Sequence, residues 1–375
     1  MVIKRELRIC LNVFVGSLIT MTQSASFQNP WQMSLQKTRH KLRKWRRIWA
    51  LLLTGAVVVS LWLIFRRRRP PGDVLERLRF LPNPFAASGL TNETGAPTPI
   101  VPNLVHFIVF QKPTVSFIHF VCVLAALRNQ RPDKIYFHSN VQLSGPYWER
   151  LLQLKEFSER VVLRQIEMPK EIFNQTIRED YRIFHGGDIA RIQVLMQFGG
   201  IFLDNDSYVV KSLDFFRHFE MAIGWDEEQF LGTQIIVAHR EARFLDLWLH
   251  SYEGMYETDL WYYNAGELPT TWILHRRPDL VHRVKVLFGN DGKFQQLLFQ
   301  RYWPGWREQY TFHLLARKAH QSGLRNISPN ASYPVDFNEH NLQNYPITFR
   351  EMANEVLDYE KILLKEDLAL GQESS

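Results

Sequence analysis

Cysteine is nearly absent from this chain, because only Cys10 and Cys122 occur among 375 residues. The two lie far apart, so the sequence offers neither a disulfide framework nor the clustered thiols of a zinc site. So low a count is still compatible with an oxidising compartment. Internal repeats and low-complexity tracts are also missing after about residue 100, so no repeat architecture is indicated.

Excess charge is confined to one part of the chain. The formal net charge is +7, but much of the basic excess falls between Lys37 and Arg79. The remainder is near balance, so nucleic-acid binding is not expected. Hydrophobic residues make up 46% of the chain and aromatic residues 13%, which is enough for a well-filled core. The length allows one substantial domain with appendages.

One apolar segment, residues 48–65, carries no charge and is long enough to cross a bilayer. Trp49 and Trp62 lie near its ends, where interfacial aromatic residues are common. A basic cluster at 37–47 precedes it and a smaller one at 66–69 follows it. The larger first cluster favours a cytosolic N-terminus, and therefore a single-pass type II membrane protein with its bulk in the lumen.

The start of the chain leaves two alternatives open. A shorter apolar run at 7–21 follows basic residues and has the composition of a signal-peptide core. Met33 is an alternative start that leaves a short cytosolic tail. We predict five regions: a cytosolic basic tail (1–47), a transmembrane anchor (48–65), a stem or linker (66–100), a catalytic domain (101–350) and a C-terminal tail (351–375).

Four sequons for N-glycosylation agree with a lumenal domain: Asn92, Asn174, Asn326 and Asn330. Asn205 also fits the sequon pattern but lies between two aspartates of a candidate site, so we predict that it is not modified.

From residue 103 the hydrophobic pattern alternates between strands and helices. It predicts strands at 103–110, 134–138 and 161–167, with helices at 117–129 and 147–157 between them. Such alternation indicates an α/β fold with a mostly parallel sheet flanked by helices. Ligands of these sheets bind beyond the carboxyl ends of the strands.

The most informative stretch is residues 185–214. The pattern predicts a helix that Asp188 opens or caps and that Gly199-Gly200 ends, followed by a buried strand at 201–203. Asp204-Asn205-Asp206 then follows directly. Two aspartates on a turn can converge, and convergent carboxylates suit Mg²⁺ or Mn²⁺. Such an ion neutralises a diphosphate leaving group.

This order of elements resembles the signature of the family 32 glycosyltransferases, the α-1,4-galactosyltransferase-like and α-1,4-N-acetylglucosaminyltransferase-like enzymes with a DxD motif. The residues that carry the resemblance are Asp188, Arg191, Gly199, Gly200, Asp204 and Asp206. Gly187 stands where the family often has Ser.

The resemblance implies a GT-A-like nucleotide-diphospho-sugar transferase fold, a UDP- or GDP-sugar donor and Mn²⁺ (or Mg²⁺) as cofactor. It also implies retention of configuration, transfer of a hexose or N-acetylhexosamine to a glycan or glycolipid acceptor, and a place in the Golgi membrane. It assigns nucleotide-sugar binding to Asp188, Arg191, Gly200, Asp204 and Asp206. No catalytic nucleophile is assigned.

Three later segments extend the resemblance. Gly266 and Thr271 match a family segment, although Glu267 replaces its usual Pro. His313 matches a family histidine near the metal or diphosphate, so the expected metal ligands are Asp204, Asp206 and His313. Ala316 stands where a polar side chain is expected. The acidic run 226–228 is either a solvated loop or a contact of the sugar.

Two other interpretations remain open. A hydrophobic strand followed by Asp-x-Asp also begins the phosphohydrolase site in which the first Asp attacks phosphorus. That motif normally follows the first strand of its domain, and Asp291 is a poor substitute for its later acidic pair. The other interpretation is a membrane-anchored carbohydrate-binding protein with a degenerate transferase site, which the departures at Glu267 and Ala316 favour.

Overall fold

The computed structural model describes residues 49–50, 52–57, 72–315 and 337–373. The predicted basic tail, Met33, Ala316 and the sequons at Asn326 and Asn330 lie outside these ranges, as does most of the predicted anchor. The anchor residues inside them, 49–50 and 52–57, are helical with exposed side chains. In the described part of the chain, no helix combines the length and apolarity needed to span a membrane.

The chain divides into two units, Met1–Arg69 and Pro70–Ser375. The second unit contains the strands β1 (Leu104–Val109), β2 (Lys134–Ser139), β3 (Val161–Gln165), β4 (Glu171–Ile172), β5 (Gln175–Thr176), β6 (Gly200–Leu203), β7 (Ser207–Val209), β8 (Met221–Gly224), β9 (Ile235–Ala238), β10 (His282–Val284) and β11 (Thr311–His313).

Its helices are α1 (Gly72–Phe80), α2 (Phe117–Gln130), α3 (Pro146–Gln153), α4 (Lys155–Ser158), α5 (Arg182–Phe198), α6 (Arg243–His250), α7 (Lys293–Phe299), α8 (Glu339–Leu342) and α9 (Thr348–Glu373). Short helical turns at Tyr263–Glu267 and Pro269–Leu274 lie between α6 and α7.

Seven strands form the central sheet in the order β10-β8-β9-β6-β1-β2-β3. The pairs β1–β2, β2–β3, β1–β6 and β8–β10 are parallel. The pairs that β9 makes with β6 and β8 are antiparallel. The prediction of a mostly parallel α/β sheet is therefore confirmed, with β9 as the reversed strand within it.

Helices cover both faces of this sheet, as β6 illustrates. Ile201 and Leu203 point into one hydrophobic core, which includes α2 and α9, while Phe202 points into another, which includes α5 and α6. Burial of both faces explains why β6 reads as a continuous apolar run in the sequence. Helix α2 is buried along most of its length and is capped by the preceding Ser116, whose side chain accepts a hydrogen bond from the His119 N–H.

The packed domain extends beyond the limits drawn from sequence. In the predicted stem, α1 buries Leu78 against the core beside α6, and Asn92 is also buried. The predicted C-terminal tail continues α9, which buries Met352, Ala353 and Val356. Helix α9 is amphipathic and long, so its apolar face is stabilised by packing against α2 and α7.

Two predicted helices have different limits in the structure. Asp188 does not open α5, because that helix begins at Arg182 and Asp188 lies inside it. Gly186 and Gly187 precede Asp188 and are poor helix formers. Helix propensity therefore did not predict the first turns of α5, which begin at Arg182. The helix predicted at 147–157 is interrupted at Leu154, which has an extended backbone conformation.

Candidate functional site

The position of Asp204 is set by the close approach of β6 to β1. Gly200 has a φ of 114°, and a side-chain carbon there would lie 2.6 Å from the Leu104 carbonyl oxygen. Only glycine fits both the backbone angle and the space. Beyond Leu203 the Asp204 N–H donates to the Gln234 carbonyl at 2.9 Å, and the Ser207 N–H donates to the Asp204 carbonyl at 2.8 Å. The first aspartate therefore begins a turn at the carboxyl end of a central strand.

That turn brings Asp206 next to a residue from much later in the chain. Strand β11 pairs with β7 in antiparallel register, which places His313 opposite Ser207. The Leu314 N–H also donates to the Asp206 carbonyl at 2.9 Å. As a result, His313 Nε2 lies 3.2 Å from Oδ1 of Asp206.

Asp204, Asp206 and His313 form a cluster whose ligand atoms all lie within 4.8 Å of one another. Two carboxylate oxygens and an imidazole nitrogen are suitable ligands for Mn²⁺. Mg²⁺ prefers the oxygen ligands of this set. The three predicted metal ligands are thus brought together, and the residues fit such an ion.

The electrostatic potential at this cluster is negative. Burial by itself lowers the pKa of His313, but the adjacent Asp206 and Asp204 carboxylates outweigh burial and raise it. The Nδ1 atom of His313 is buried and has no hydrogen-bond partner among the described residues. A site that stabilises positive charge on a buried imidazole also favours a bound cation.

Asp188 and Arg191 support the cluster from α5. Arg191 Nη2 lies 3.2 Å from Oδ1 of Asp188 and 3.4 Å from Oδ1 of Asp204. Its Nη1 donates to the Thr233 carbonyl at 2.6 Å and to the Thr233 hydroxyl at 2.8 Å. Arg191 is buried, so this network fixes the guanidinium beside Asp204.

The environment of Asp188 differs from that of an ordinary surface carboxyl. Burial raises its pKa to about 6, the Arg191 guanidinium opposes that shift, and the negative charge of Asp204 adds to it. Asp188 is buried and lies about one helical turn before Arg191 on α5. The Asp188 carboxylate therefore pairs with the Arg191 guanidinium, which balances its charge.

Several other predicted contacts have structural partners instead. Glu227 is paired with Arg283 and Lys285, and the Asp226 carboxylate accepts from the Val286 N–H. The Thr271 hydroxyl donates to the Glu267 carbonyl within its own helical turn. Glu227 is thus ion-paired in an exposed loop, whereas Asp226 lines a pocket at the end of β8.

The aromatic residues near the site divide by burial. Trp225, Tyr263 and Trp306 are buried in the core, so their faces are not available for stacking on a glycan. Trp261 is 50% exposed and packs edge-on against Phe184 at a ring-centroid distance of 4.1 Å.

Sequence reasoning missed Thr233, Gln234 and Asn290 as residues of the site. Thr233 and Gln234 lie just before β9 and contact Arg191 and Asp204, respectively. The half-buried Tyr262 donates its hydroxyl to the Leu231 carbonyl, and its pKa is raised chiefly by loss of solvent and next by the charge of Asp188. Thr233, Gln234 and Asn290 belong to no spacing pattern in the sequence.

Comparisons with known proteins give distant relatives. No protein-family model matches the chain, so membership of glycosyltransferase family 32 stays a prediction. Glucan organizing enzyme 1 of Cryptococcus neoformans var. grubii serotype A is 24% identical over 313 residues, which span 76% of this chain and 77% of the relative.

Solved structures similar to this chain include several glycosyltransferases. The PaToxG glycosyltransferase aligns at 15% identity over 57% of this chain and 81% of its own, with a TM-score of 0.34. The galactosyltransferase LgtC, crystallised with donor and acceptor sugar analogues, aligns at 11% identity over 67% and 95%, with a TM-score of 0.38. For GlyE of Streptococcus pneumoniae the values are 12%, 72% and 64%, with a TM-score of 0.40. Because all three TM-scores are below 0.5, the functional assignment rests on the residues of the site.

Proposed function

We propose that this protein is a metal-dependent, retaining glycosyltransferase. It transfers a hexose or N-acetylhexosamine from a nucleotide-diphosphate sugar to a glycan or glycolipid acceptor. The observation that carries the proposal is the cluster of Asp204, Asp206 and His313 at the carboxyl end of β6. The family 32 resemblance of residues 188–206 supports the same activity and is the source of the retaining stereochemistry.

Asp204, Asp206 and His313 are the residues that would hold Mn²⁺ or Mg²⁺. When bound, such an ion supplies positive charge to the diphosphate as it leaves the sugar. Arg191 contributes by holding Asp204 in place and by neutralising Asp188, so that the carboxylates are oriented before a ligand arrives. Asn205 fixes the turn between the aspartates, since its Nδ2 donates to the Ile108 carbonyl at 2.9 Å.

We also propose a type II orientation in the Golgi membrane with the catalytic domain in the lumen. The apolar segment 48–65 and the basic clusters on both sides of it support this orientation. The sequon at Asn174 supports a lumenal domain, because Asn174 is exposed.

The test of activity uses the purified full-length protein and UDP-galactose, UDP-N-acetylglucosamine, UDP-glucose and GDP-mannose. UDP-glucose is included because the fungal relative is named a glucan organizing enzyme. We expect slow release of nucleoside diphosphate from one donor with Mn²⁺, which EDTA abolishes. Asp206→Ala is expected to lower this rate by about 100-fold or more, in line with the loss of a main electrostatic contact.

The matched control is Asp358→Asn on α9, an exposed carboxylate that is paired with Lys361, and it is expected to behave as wild type. A folded wild-type protein that neither binds nor cleaves any donor would overturn the proposal and favour a carbohydrate-binding protein. Phosphate release from p-nitrophenyl phosphate, with the donors left intact, would favour the phosphohydrolase instead.

A further inference from the structure

A pocket of about 360 Å³ opens at the end of β8, and its walls include Gly224, Gly232, Gln234, Tyr262 and Asn290. None of these residues carries a role in the proposal above. The pocket is notable for polar groups that lack partners. Both amide atoms of Asn290 and Oε1 of Gln234 are buried and make no hydrogen bond within the described ranges 72–315 and 337–373.

Buried amides without partners are rare in folded proteins, because such a group has lost its hydrogen bonds to water and has formed none within the protein. They are found where a ligand completes the hydrogen bonding. Three such atoms at one pocket therefore indicate a site for a molecule that both donates and accepts hydrogen bonds. A sugar hydroxyl does both, and an amide side chain matches it with one donor group and one acceptor.

The backbone around Asn290 is built to accept this side chain. Its amide nitrogen lies 2.1 Å and 2.2 Å from where a side-chain carbon on Gly224 or Gly232 would stand, so a side chain at either position would displace the Asn290 amide. The Gly232 N–H donates to the Gly224 carbonyl at 2.7 Å, which holds the two glycines together. Gly289 has a φ of 58°, and a side-chain carbon there would lie 2.5 Å from the Thr311 carbonyl oxygen. Glycines at three positions thus set the place of one asparagine.

The pocket lies next to the metal cluster on two sides. The Gln234 carbonyl accepts from the Asp204 N–H at 2.9 Å, and the Gly289 carbonyl accepts from the His313 N–H at 3.3 Å. Gln234 is therefore hydrogen-bonded through its backbone to the candidate metal ligand Asp204. Asn290 directly follows Gly289, whose backbone is hydrogen-bonded to the candidate metal ligand His313. In a nucleotide sugar, the sugar is bonded directly to the diphosphate, so it must lie beside the site that holds the diphosphate.

We propose that Gln234 and Asn290 bind hydroxyl groups of the donor sugar and determine which sugar is accepted. This inference rests on the proposed function and adds the two residues that read the sugar. They do not contact the nucleotide. Both amide atoms of Asn290 and Oε1 of Gln234 lack partners among the described residues and become hydrogen-bonded when the sugar enters.

The experiment is calorimetric titration of the full-length protein with Mn²⁺ and two kinds of probe. The first is UDP or GDP, and the second is the matching sugar nucleotide, UDP-galactose, UDP-N-acetylglucosamine, UDP-glucose or GDP-mannose. Asn290→Leu and Gln234→Met keep the size of each side chain and remove its hydrogen bonds. We expect these variants to bind the bare nucleotide as wild type does and the preferred sugar nucleotide about five- to tenfold more weakly.

The matched control is Asn354→Leu on α9, a half-buried asparagine that is distant in the fold and paired with Gln343. It is expected to leave both affinities unchanged. Thermal unfolding separates binding from a structural role: Asn290→Leu should unfold at the wild-type temperature or above, because no internal hydrogen bond is lost.

The outcomes separate this inference from the proposed function. Suppose that the wild type binds sugar nucleotides, and that the variants either keep both affinities or lose affinity for the bare nucleotide as much as for the sugar nucleotide. That result would overturn the role of Gln234 and Asn290 and leave the proposed transferase activity intact. A lower unfolding temperature for Asn290→Leu with unchanged affinities would make the residue structural. Wild type that binds no nucleotide would overturn both.

Discussion

His313 Nε2 lies 3.2 Å from Oδ1 of Asp206, although the two residues belong to distant parts of the chain. The contact depends on the antiparallel pairing of β7 and β11, which places His313 opposite Ser207. Because the imidazole completes a set of three ligands, its removal should weaken the metal site without disturbing the aspartates.

His313→Ala is expected to weaken Mn²⁺ binding by roughly tenfold or more, the change that corresponds to about 1.4 kcal/mol. Titration of Mn²⁺ followed by electron paramagnetic resonance measures the free ion directly and needs no substrate. His340→Ala, which removes an exposed histidine on α8, serves as the control. An unchanged Mn²⁺ affinity in His313→Ala would remove this residue from the ligand set.

Arg191 balances two carboxylates, and its loss should be costly for folding. Arg191→Met leaves Asp188 buried without its cation, for which we expect a loss of roughly 3–5 kcal/mol in the free energy of unfolding. Urea unfolding of Arg191→Met, Asp188→Leu and the double variant measures this coupling. The double variant should recover part of the loss, since the unpaired charge of Asp188 is gone. Single-variant losses that add up to the loss in the double variant would show that the two residues are not coupled.

The buried pair His106 and His138 should make the fold sensitive to acid. His106 Nε2–H donates to the Gly199 carbonyl at 2.8 Å, so its Nδ1 accepts from His138 Nε2–H at 3.1 Å. Burial lowers the pKa of His106 to about 3, with the charge of His138 adding to the effect. Burial, and then the charge of Arg164, lowers the pKa of His138 to about 4.

A histidine with a lowered pKa in the folded state contributes stability that is complete above its unfolded pKa of about 6.5. That stability is lost as the pH falls from 6.5 towards the folded pKa. Between pH 6.5 and 5, we expect a loss of roughly 2 kcal/mol for each histidine, measured by urea unfolding. His106→Gln, which retains an amide donor, should make this pH dependence shallower. A wild-type stability that is flat from pH 7 to 5 would contradict the assignment.

The sequons at Asn92 and Asn174 should differ in modification. Asn92 is 5% exposed, and its Nδ2 donates to the Asp279 carbonyl at 3.0 Å, so the native fold leaves no space for a glycan there. This corrects the expectation from sequence that Asn92 is an acceptor. Asn174 is exposed in the turn between β4 and β5.

After expression through the secretory pathway, peptide mass spectrometry is expected to find glycan on Asn174 and none on Asn92. Asn174→Gln should remove the corresponding shift in mass, and Asn92→Gln should not. Glycan on Asn92 in folded protein would contradict the packing of this residue. Asn205, whose Nδ2 is bonded to the Ile108 carbonyl, is expected to remain unmodified as predicted from sequence.

Local patterns were enough to predict the mostly parallel sheet and the candidate turn at its edge. The apolar run at 201–203 predicted a strand buried on both faces, and Gly199-Gly200 predicted the end of the helix before it. Both depend on neighbours in the chain, which a sequence shows directly. The start of α5 was predicted too late because Gly186 and Gly187 inside it have low helix propensity, whereas the close approach of Met168 and Pro169 to Gly186 is a tertiary contact that the local sequence does not show.

By itself, the sequence determined that two aspartates follow a central strand and that a helix with Asp188 and Arg191 precedes them. Only the tertiary structure decided that Arg191 reaches Asp204, that β11 places His313 beside Asp206, and that Gln234 and Asn290 meet in one pocket. The reason is physical: strand pairing and burial join residues that are far apart in the chain, and no local spacing records which of them will meet.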